Sequence, residues 1–220
     1  MNIHDVDTAT LQTPTEIWPV IFTHQLELEL KYTAIEIQNG FYAPDYMKPP
    51  SLDDRRFQNW IKNKMWRVTE ELAESMEVAR ENVHMRAWRS FKANDDDHFI
   101  EEVIDALHFL VAVTIPVLGQ DRAGSTIQNR SRKLFFSASE KIDAMAEVVW
   151  DLGIAANVLK NKPWKLTHVE TDQVRFVSSI MKVWDSMFIL LSTLDLNEEE
   201  VYKLYFKKQE VNKFRQRSNY

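Results

Sequence analysis

The chain has 220 residues, 45% of them apolar, and a formal net charge of −6, which suits one domain over residues 1–220 with a single hydrophobic core. It has no cysteine, which excludes disulfides and thiolate metal sites, and its acidic balance argues against a nucleic-acid partner. No secretory signal or run of eighteen apolar residues occurs, so we expect a cytoplasmic protein without a membrane partner.

Only four glycines occur in the chain. Sheet proteins need a turn about every eight to twelve residues, and glycine supplies many of these turns. The scarcity of glycine therefore favours long helices joined by few connections. We predict an all-α fold, a multi-helix bundle, in which residues 1–13 form a flexible segment.

Apolar residues recur at helical spacing in six stretches of the sequence. We predict helices over residues 14–38, 53–80, 98–118, 134–160 and 168–194, and a last helix that ends near residue 217. Asn197 and Glu200 form a capping pair before that last helix. Residues 41–52 hold three prolines, and residues 119–132 hold two glycines without a strong pattern, so both are predicted as surface connections. A short loop with a helix cap is predicted at residues 93–97.

Two predicted helices contain clusters of carboxylates among apolar residues: EELAESME at residues 70–77 and EEVIDALH at residues 101–108. Glu71 and Glu74 are three residues apart, as are Glu102 and Asp105, so each pair lies on one helix face. If the two helices pack side by side, four carboxylates converge, and they cannot all stay ionised without a counter-charge. Because only oxygen ligands are available, Mg²⁺ is the cation that this pattern favours.

Both carboxylate pairs also have a purely structural interpretation, because acidic residues are common on helix surfaces. The neighbouring acids Glu70 and Glu101 are interpreted in this way, as solvated residues or as residues of the shell around the site. The spacing of Asp105 and His108 resembles half of a di-iron motif, but His108 lies in an apolar run. We therefore interpret His108 as a core histidine with a satisfied hydrogen bond.

The end of the chain is cationic although the whole chain is acidic: residues 202–220 read YKLYFKKQEVNKFRQRSNY. Lys208, Asn212 and Arg215 fall at positions i, i+4 and i+7 of one helix face. Cationic donors on one face suit a triphosphate, and arginine can bind it in a bidentate manner. The alternative is a solvated basic helix end that complements the helix dipole.

The succession of E-x-x-E and E-x-x-D on consecutive helices resembles the all-α nucleoside triphosphate pyrophosphohydrolases. This superfamily includes the dimeric dUTPases, the phage dCTPase–dUTPases and the MazG-like enzymes. Residues 205–220, which we call the tail, resemble the segment Y-x-x-K-N-x-x-N-x-x-R-Q-x-x-G-Y of the dimeric dUTPases and the phage dCTPase–dUTPases. The matching residues are Tyr205, Lys208, Asn212, Arg215, Gln216 and Tyr220. Gln209 stands where the family has Asn, and Asn219 where it has Gly.

The resemblance implies an enzyme that hydrolyses dUTP, with dCTP as a second candidate, to the monophosphate and pyrophosphate. It implies Mg²⁺, for which Mn²⁺ can substitute, held by Glu71, Glu74, Glu102 and Asp105. Glu74 is the residue that we expect to activate the attacking water. The resemblance also implies a homodimer. A MazG-like enzyme with a purine preference and a catalytically silent helical partner-binding protein remain as alternatives.

The resemblance also assigns roles to the tail. Lys208, Arg215 and Tyr220 are expected to bind phosphate or to close over the substrate. Asn212 and Gln216 are expected to position the nucleotide. We therefore expect residues 205–220 to be open without substrate and to close over the triphosphate.

Overall fold

The structure, a computed structural model, describes residues 6–8, 10–78, 96–132, 140–162 and 164–218. Every regular element in these stretches is an α-helix, which confirms the predicted all-α bundle. The described helices are α1 (Ile17–Gln38), α2 (Arg55–Val78), α3 (Asp96–Leu118), α4 (Gln120–Ser131), α5 (Lys141–Val158), α6 (Gln173–Thr193) and α7 (Glu198–Arg217). None of these seven helices is long and apolar enough to cross a bilayer.

The predicted helix boundaries agree with the structure where the local signals are strong. Asn39 and Gly40 end α1 as predicted, and Gly40 adopts a φ of 79°, which glycine tolerates without strain. Asn197 and Glu200 form the predicted capping box at the start of α7. The loop predicted at residues 93–97 lies mostly outside the described residues, and its last two residues already belong to the first turn of α3.

The prediction that residues 119–132 form an irregular connection is wrong, because they contain the helix α4. Its buried stripe is short, with Ala123 and Ile127 four residues apart, so the apolar periodicity in the sequence is weak. Gly124 is present because α1 passes very close. A Cβ atom at this position would lie 2.6 Å from the Cα atom of Pro19, so a larger side chain would separate α4 from α1.

Helix α3 is the centre of the bundle and packs against α1, α2, α4, α6 and α7. From Ala106 to Pro116 all of its residues except Phe109 are buried. A helix that is apolar on nearly all sides reaches this state only when other helices surround it. The helix is also held by a buried hydrogen bond, which Trp184 Nε1 of α6 donates to Thr114 Oγ1 at 2.9 Å.

A buried polar network joins α1, α3 and α7 next to this central helix. The Tyr205 hydroxyl donates to Gln25 Oε1, and His108 Nδ1 lies 2.9 Å from the same oxygen. Gln25 Nε2 in turn donates to Glu29 Oε1 at 2.9 Å. Because Gln25 Oε1 acts as the acceptor, His108 carries its proton on Nδ1. His108 is therefore the buried, hydrogen-bonded histidine that the sequence predicts.

Burial, reinforced by the positive charge of Lys208, lowers the pKa of His108 from 6.5 to about 3. Between these two pH values the unfolded chain binds a proton that the folded chain does not. This contribution to stability is therefore complete above pH 6.5 and is lost as the pH falls, at about 1.4 kcal/mol per pH unit.

We expect the His108→Gln variant to lose this part of the acid sensitivity. Between pH 7 and pH 5 the free energy of unfolding of the parent should fall by about 2 kcal/mol more than that of the variant. Urea unfolding followed by circular dichroism at several pH values measures the difference. His168→Gln, which changes an exposed histidine, is the control and should behave as the parent. Parallel pH profiles for the parent and His108→Gln would contradict the prediction.

Candidate active site

The structure brings three of the predicted metal ligands together where α2 packs against α3. One carboxylate oxygen from each of Glu71, Glu74 and Glu102 lies within 4.8 Å of the others. Glu102 is buried, Glu71 is half-buried and Glu74 is exposed. The E-x-x-E and E-x-x-D helices therefore pack face to face as the sequence predicts. The roles of these residues as ligands stay predictions.

The electrostatics of this cluster favour a bound cation. Burial raises the pKa of Glu71 to about 8, and the nearby carboxylates of Asp105, Glu102 and Glu74 add to the effect. Converging carboxylates that resist ionisation in this way gain stability from a cation among them. Among the described residues the cluster offers three carboxylate oxygens, and such donors suit a hard divalent ion such as Mg²⁺ or Mn²⁺.

Asp105, the fourth predicted ligand, is not part of this three-residue cluster and pairs with Lys208 of α7. The Lys208 ammonium lies 2.6 Å from Asp105 Oδ2 and 2.6 Å from Glu101 Oε1. Burial alone would lower the pKa of Lys208, but the Asp105 and Glu101 carboxylates raise it overall. Lys208, for which the sequence predicts a phosphate contact, is thus engaged with carboxylates. Glu101, which the sequence predicts to be a solvated or shell residue, pairs with the same lysine and so belongs to the same ion-pair network.

A cavity of about 380 Å³ adjoins the carboxylate cluster and is enclosed by α1, α2, α3 and α7. This volume is in the range of small-ligand pockets. Glu71 and Asp105 contribute carboxylates to its wall, and α7 contributes Asn212 and Arg215. The predicted acidic and basic groups therefore face one common space.

Polar residues of α1 that the sequence analysis missed form the opposite wall of this cavity. They include Gln25, Glu29 and Tyr32, which lie on one face of α1 at i, i+4 and i+7. Gln25 and Glu29 are buried although they are polar. Polar residues at this spacing in the apolar helix pattern were the available signal, since buried polar groups on a core face need a stated reason.

Glu29 is held by a set of partners that links α1 to α2. The Tyr46 hydroxyl donates to Glu29 Oε2 at 2.9 Å, and the ammonium of Lys64 lies 3.2 Å from the same oxygen. Lys64 also lies 3.7 Å from Glu36 Oε1. These contacts neutralise the buried carboxylate in the wall of the cavity.

Within the described part of the chain, one buried nitrogen of a cavity-lining residue has no hydrogen-bond partner. The residue is His108, and the nitrogen is its Nε2 atom, which is shielded from solvent. With the proton on Nδ1, this Nε2 is an acceptor. A ligand with an N–H group would satisfy it.

Most of the tail belongs to α7, in which Tyr205, Lys208, Gln209 and Val211 are buried. The expectation that residues 205–220 open without substrate and close over it stays a prediction. Arg215 is exposed and Gln216 half-buried. Asn219 and Tyr220 lie outside the described residues.

Gln209, which departs from the resembled motif, has turned away from the cavity. Its Nε2 atom donates to the backbone carbonyl of His24 at 2.9 Å, and its side chain is completely buried. Gln209 is absent from the wall of the cavity. The extra methylene of glutamine thus serves the packing of α7 on α1.

Comparison with known proteins identifies the family. A sequence model of dUTPases matches residues 46–220, which include both carboxylate motifs and the tail, whereas α1 lies before the match. Comparison with curated proteins gave no significant match, and comparison with solved structures gave none either. The match covers far more than half of the chain and agrees with the all-helical fold and the acidic cluster, so the chain belongs to the dUTPase family of enzymes, which hydrolyse dUTP.

Proposed function

We propose that this enzyme hydrolyses dUTP to dUMP and pyrophosphate with Mg²⁺ as its natural cation, and dCTP as a second substrate. The observation that carries the proposal is that Glu71 belongs both to the three-carboxylate cluster and to the wall of the cavity that Arg215 and His108 also line. Phosphate, cation and base would thus find their complementary groups in one space of suitable size.

The carboxylate cluster is proposed to hold the cation through Glu71, Glu74 and Glu102, with Asp105 joining when Lys208 moves aside. A bound divalent ion would neutralise the phosphates and orient a water molecule for in-line attack. Glu74 is the most exposed of the three clustered carboxylates, so it can accept a proton from a water molecule that reaches the cluster. We therefore assign the role of general base to Glu74.

The base of the nucleotide is proposed to lie against His108 and Gln25. The free Nε2 atom of His108 is an acceptor, and it complements the N3–H group of uracil. Cytosine presents a lone pair at N3, so the same atom would disfavour it at that position. The acceptor on His108 therefore favours dUTP over dCTP as the substrate. A purine base would have to fit the same cavity of about 380 Å³.

The tail residues are proposed to hold the triphosphate. Arg215 is exposed and lines the cavity, so its guanidinium is available for bidentate phosphate binding. Asn212 lines the same cavity one turn earlier and would position the nucleotide together with Gln216. Tyr220 is assigned to closure on the family resemblance alone. The segment 205–220 would close mainly through its last residues, because residues 205–211 are already packed.

The dUTPase activity is tested with purified protein, Mg²⁺ and a panel of the deoxynucleoside triphosphates, with pyrophosphate release as the readout. We expect turnover of dUTP first and dCTP second, and a loss of activity with a chelator.

Glu74→Gln should lower kcat by about 100-fold or more, as expected for a lost general base. Glu70→Gln, which changes the neighbouring acid that Trp66 and Arg67 contact, is the control. A preference for dGTP or dATP would instead support the MazG-like alternative, and no turnover would support the silent bundle.

The two cations of α7 should separate in their effects on stability and catalysis. Lys208→Met leaves Glu101 and Asp105 without their counter-charge, so it should lower the free energy of unfolding by about 3–5 kcal/mol. Arg215→Ala removes an exposed side chain and should leave stability nearly unchanged. It should lower kcat/KM by about 10- to 100-fold, as expected for one lost charge-assisted contact.

Urea unfolding and steady-state kinetics of both variants measure this separation. Lys213→Met, which changes a lysine of α7 that pairs with Glu210, is the control and should have little effect on either quantity. A stable Lys208→Met variant, or an unstable Arg215→Ala variant with normal turnover, would contradict the assignment.

A homodimer is proposed from the family resemblance and from the apolar surface that one chain leaves uncovered. Trp66, Trp150, Phe41 and Met47 are each more than 60% exposed. Large exposed apolar residues are typical of surfaces that another protein covers.

Sedimentation velocity at micromolar concentration should therefore give about twice the chain mass of 25.9 kDa. The apparent mass should stay constant on dilution through the micromolar range. A single species with the mass of one chain would contradict the homodimer.

A further inference from the structure

A group of lysines lies on the side of α2 that faces away from the cavity. We call residues 160–168 the lysine loop; they are part of the connection between α5 and α6, and their sequence, KNKPWKLTH, contains no acid. Lys62 of α2 joins this loop by donating from Nζ to the backbone carbonyl of Leu159 at 2.7 Å. Lys160 donates to the neutral oxygen Asn157 Oδ1 at 2.9 Å. Within the described residues, no ion pair with a carboxylate is formed by Lys62 or by the three lysines of the loop, Lys160, Lys162 and Lys165.

The charges in this group act on one another at short range. Burial and the ammonium groups of Lys162 and Lys160 lower the pKa of Lys62 to about 8. Like charges that converge without a counter-ion destabilise the folded chain, and an anion bound among them would remove this cost. The convergence is unexpected in a chain with a net charge of −6.

The lysine loop also presents two large apolar side chains to solvent. Trp164 is 77% exposed and Leu166 is 99% exposed. Trp164 therefore does not anchor the packing of the core. The Lys162 ammonium lies 5.9 Å from the centre of the Trp164 ring, so the aromatic face and the positive charge are adjacent.

The base of the loop is held firmly by buried polar contacts, so these exposed groups stand on an ordered support. The backbone N–H of Asn161 donates to Gln58 Oε1 at 2.9 Å, and Asn161 Nδ2 donates to the carbonyl of Val169 at 2.8 Å. Gln58 Nε2 donates to Thr171 Oγ1 at 2.9 Å. Arg55 donates to the carbonyls of Leu166 and Thr167. Because the loop is already ordered, a ligand that binds to it pays a smaller cost in conformational entropy.

This surface is separate from the active site. Lys64, two residues after Lys62 on α2, lines the cavity. Two residues correspond to a rotation of about 200° on an α-helix, so the two side chains point to opposite sides of α2. A ligand on the lysine loop would therefore leave the catalytic cavity accessible.

We propose that the lysine loop and Lys62 bind single-stranded nucleic acid, with a backbone phosphate at Lys62, Lys160 and Lys162 and a base stacked on Trp164. Single-strand binding sites combine cationic side chains that follow the backbone with exposed aromatic rings that stack on bases. The convergence of three ammonium groups suits one localised phosphate. An anionic membrane offers a diffuse charge instead. The acidic remainder of the chain makes the binding weak and sensitive to salt, and it confines binding to this loop.

The test is fluorescence anisotropy of a short fluorescein-labelled oligo(dT) with the full chain, at low ionic strength and with a chelator present. The plot of log K against log salt should have a slope of about −2 for three lysine contacts with a single strand. Trp164→Ala should weaken binding by about 5- to 100-fold. Lys162→Ser should reduce the magnitude of the slope by about 0.7.

Two matched variants outside the loop serve as controls. Val174→Ala shortens another strongly exposed apolar side chain and Lys182→Ser removes another exposed lysine, and both should bind as the parent does. All four variants should retain the parent's rate of dUTP hydrolysis, which shows that they are folded and that the site is separate from catalysis.

Several results would overturn the proposal. These are an absence of oligonucleotide binding at low ionic strength, or equal weakening by the loop variants and the control variants. Binding to phosphatidylserine vesicles without binding to oligo(dT) would identify a membrane site instead. Displacement of oligo(dT) by dTMP or pyrophosphate at equal concentrations of phosphate groups would reduce the site to one for small anions.

Discussion

The structure depends on one constraint: the central helix α3 is buried by its neighbours and still carries three ionisable groups on one face. Glu102, Asp105 and His108 lie at i, i+3 and i+6 in a helix that is otherwise apolar. A buried polar or charged group without a partner costs several kcal/mol. Asp105 pairs with Lys208 of α7, and His108 is hydrogen-bonded to Gln25 of α1. Glu102 instead lies beside like-charged glutamates of α2, one of which has its pKa raised by burial. The pairings of Asp105 and His108 thus hold α7 and α1 against α3, while the clustered carboxylates face α2.

The same requirement gives α7 two different tasks. Its first half is part of the core, because Tyr205 supports His108 and Lys208 neutralises Asp105 and Glu101. Its second half is solvent-accessible and contributes Asn212 and Arg215 to the cavity. The Lys208 ammonium is the counter-charge of Asp105, so this carboxylate ties α7 to the central helix.

The opposite wall of the cavity is built from α1, which precedes the part of the chain that matches the dUTPase family. Gln25 and Glu29 belong to a connected set of hydrogen bonds that fixes the orientation of the His108 ring. The carboxylate chemistry of the site thus comes from the matched region, while α1 supplies the groups that set its shape and polarity.

The sequence by itself determined the features that depend on neighbours along the chain. The scarcity of glycine predicted the all-α class, and the three-residue spacings placed Glu71 with Glu74 and Glu102 with Asp105. The Asn197–Glu200 capping box was equally local. Helix α4 was missed because two glycines and a short apolar stripe resemble a loop, and only the close approach of Pro19 explains Gly124.

The tertiary structure alone decided which faces meet. Spacing in the sequence places a side chain on a helix face but does not say which helix packs against it. The sequence therefore predicted a phosphate contact for Lys208 and gave no sign of its ion pairs with residues more than 100 positions away. Gln25 meets Tyr205 across 180 positions, and no local pattern records that contact. The lysine loop likewise acquires its charge density only when α2 brings Lys62 to it, because electrostatic interactions depend on distance in space.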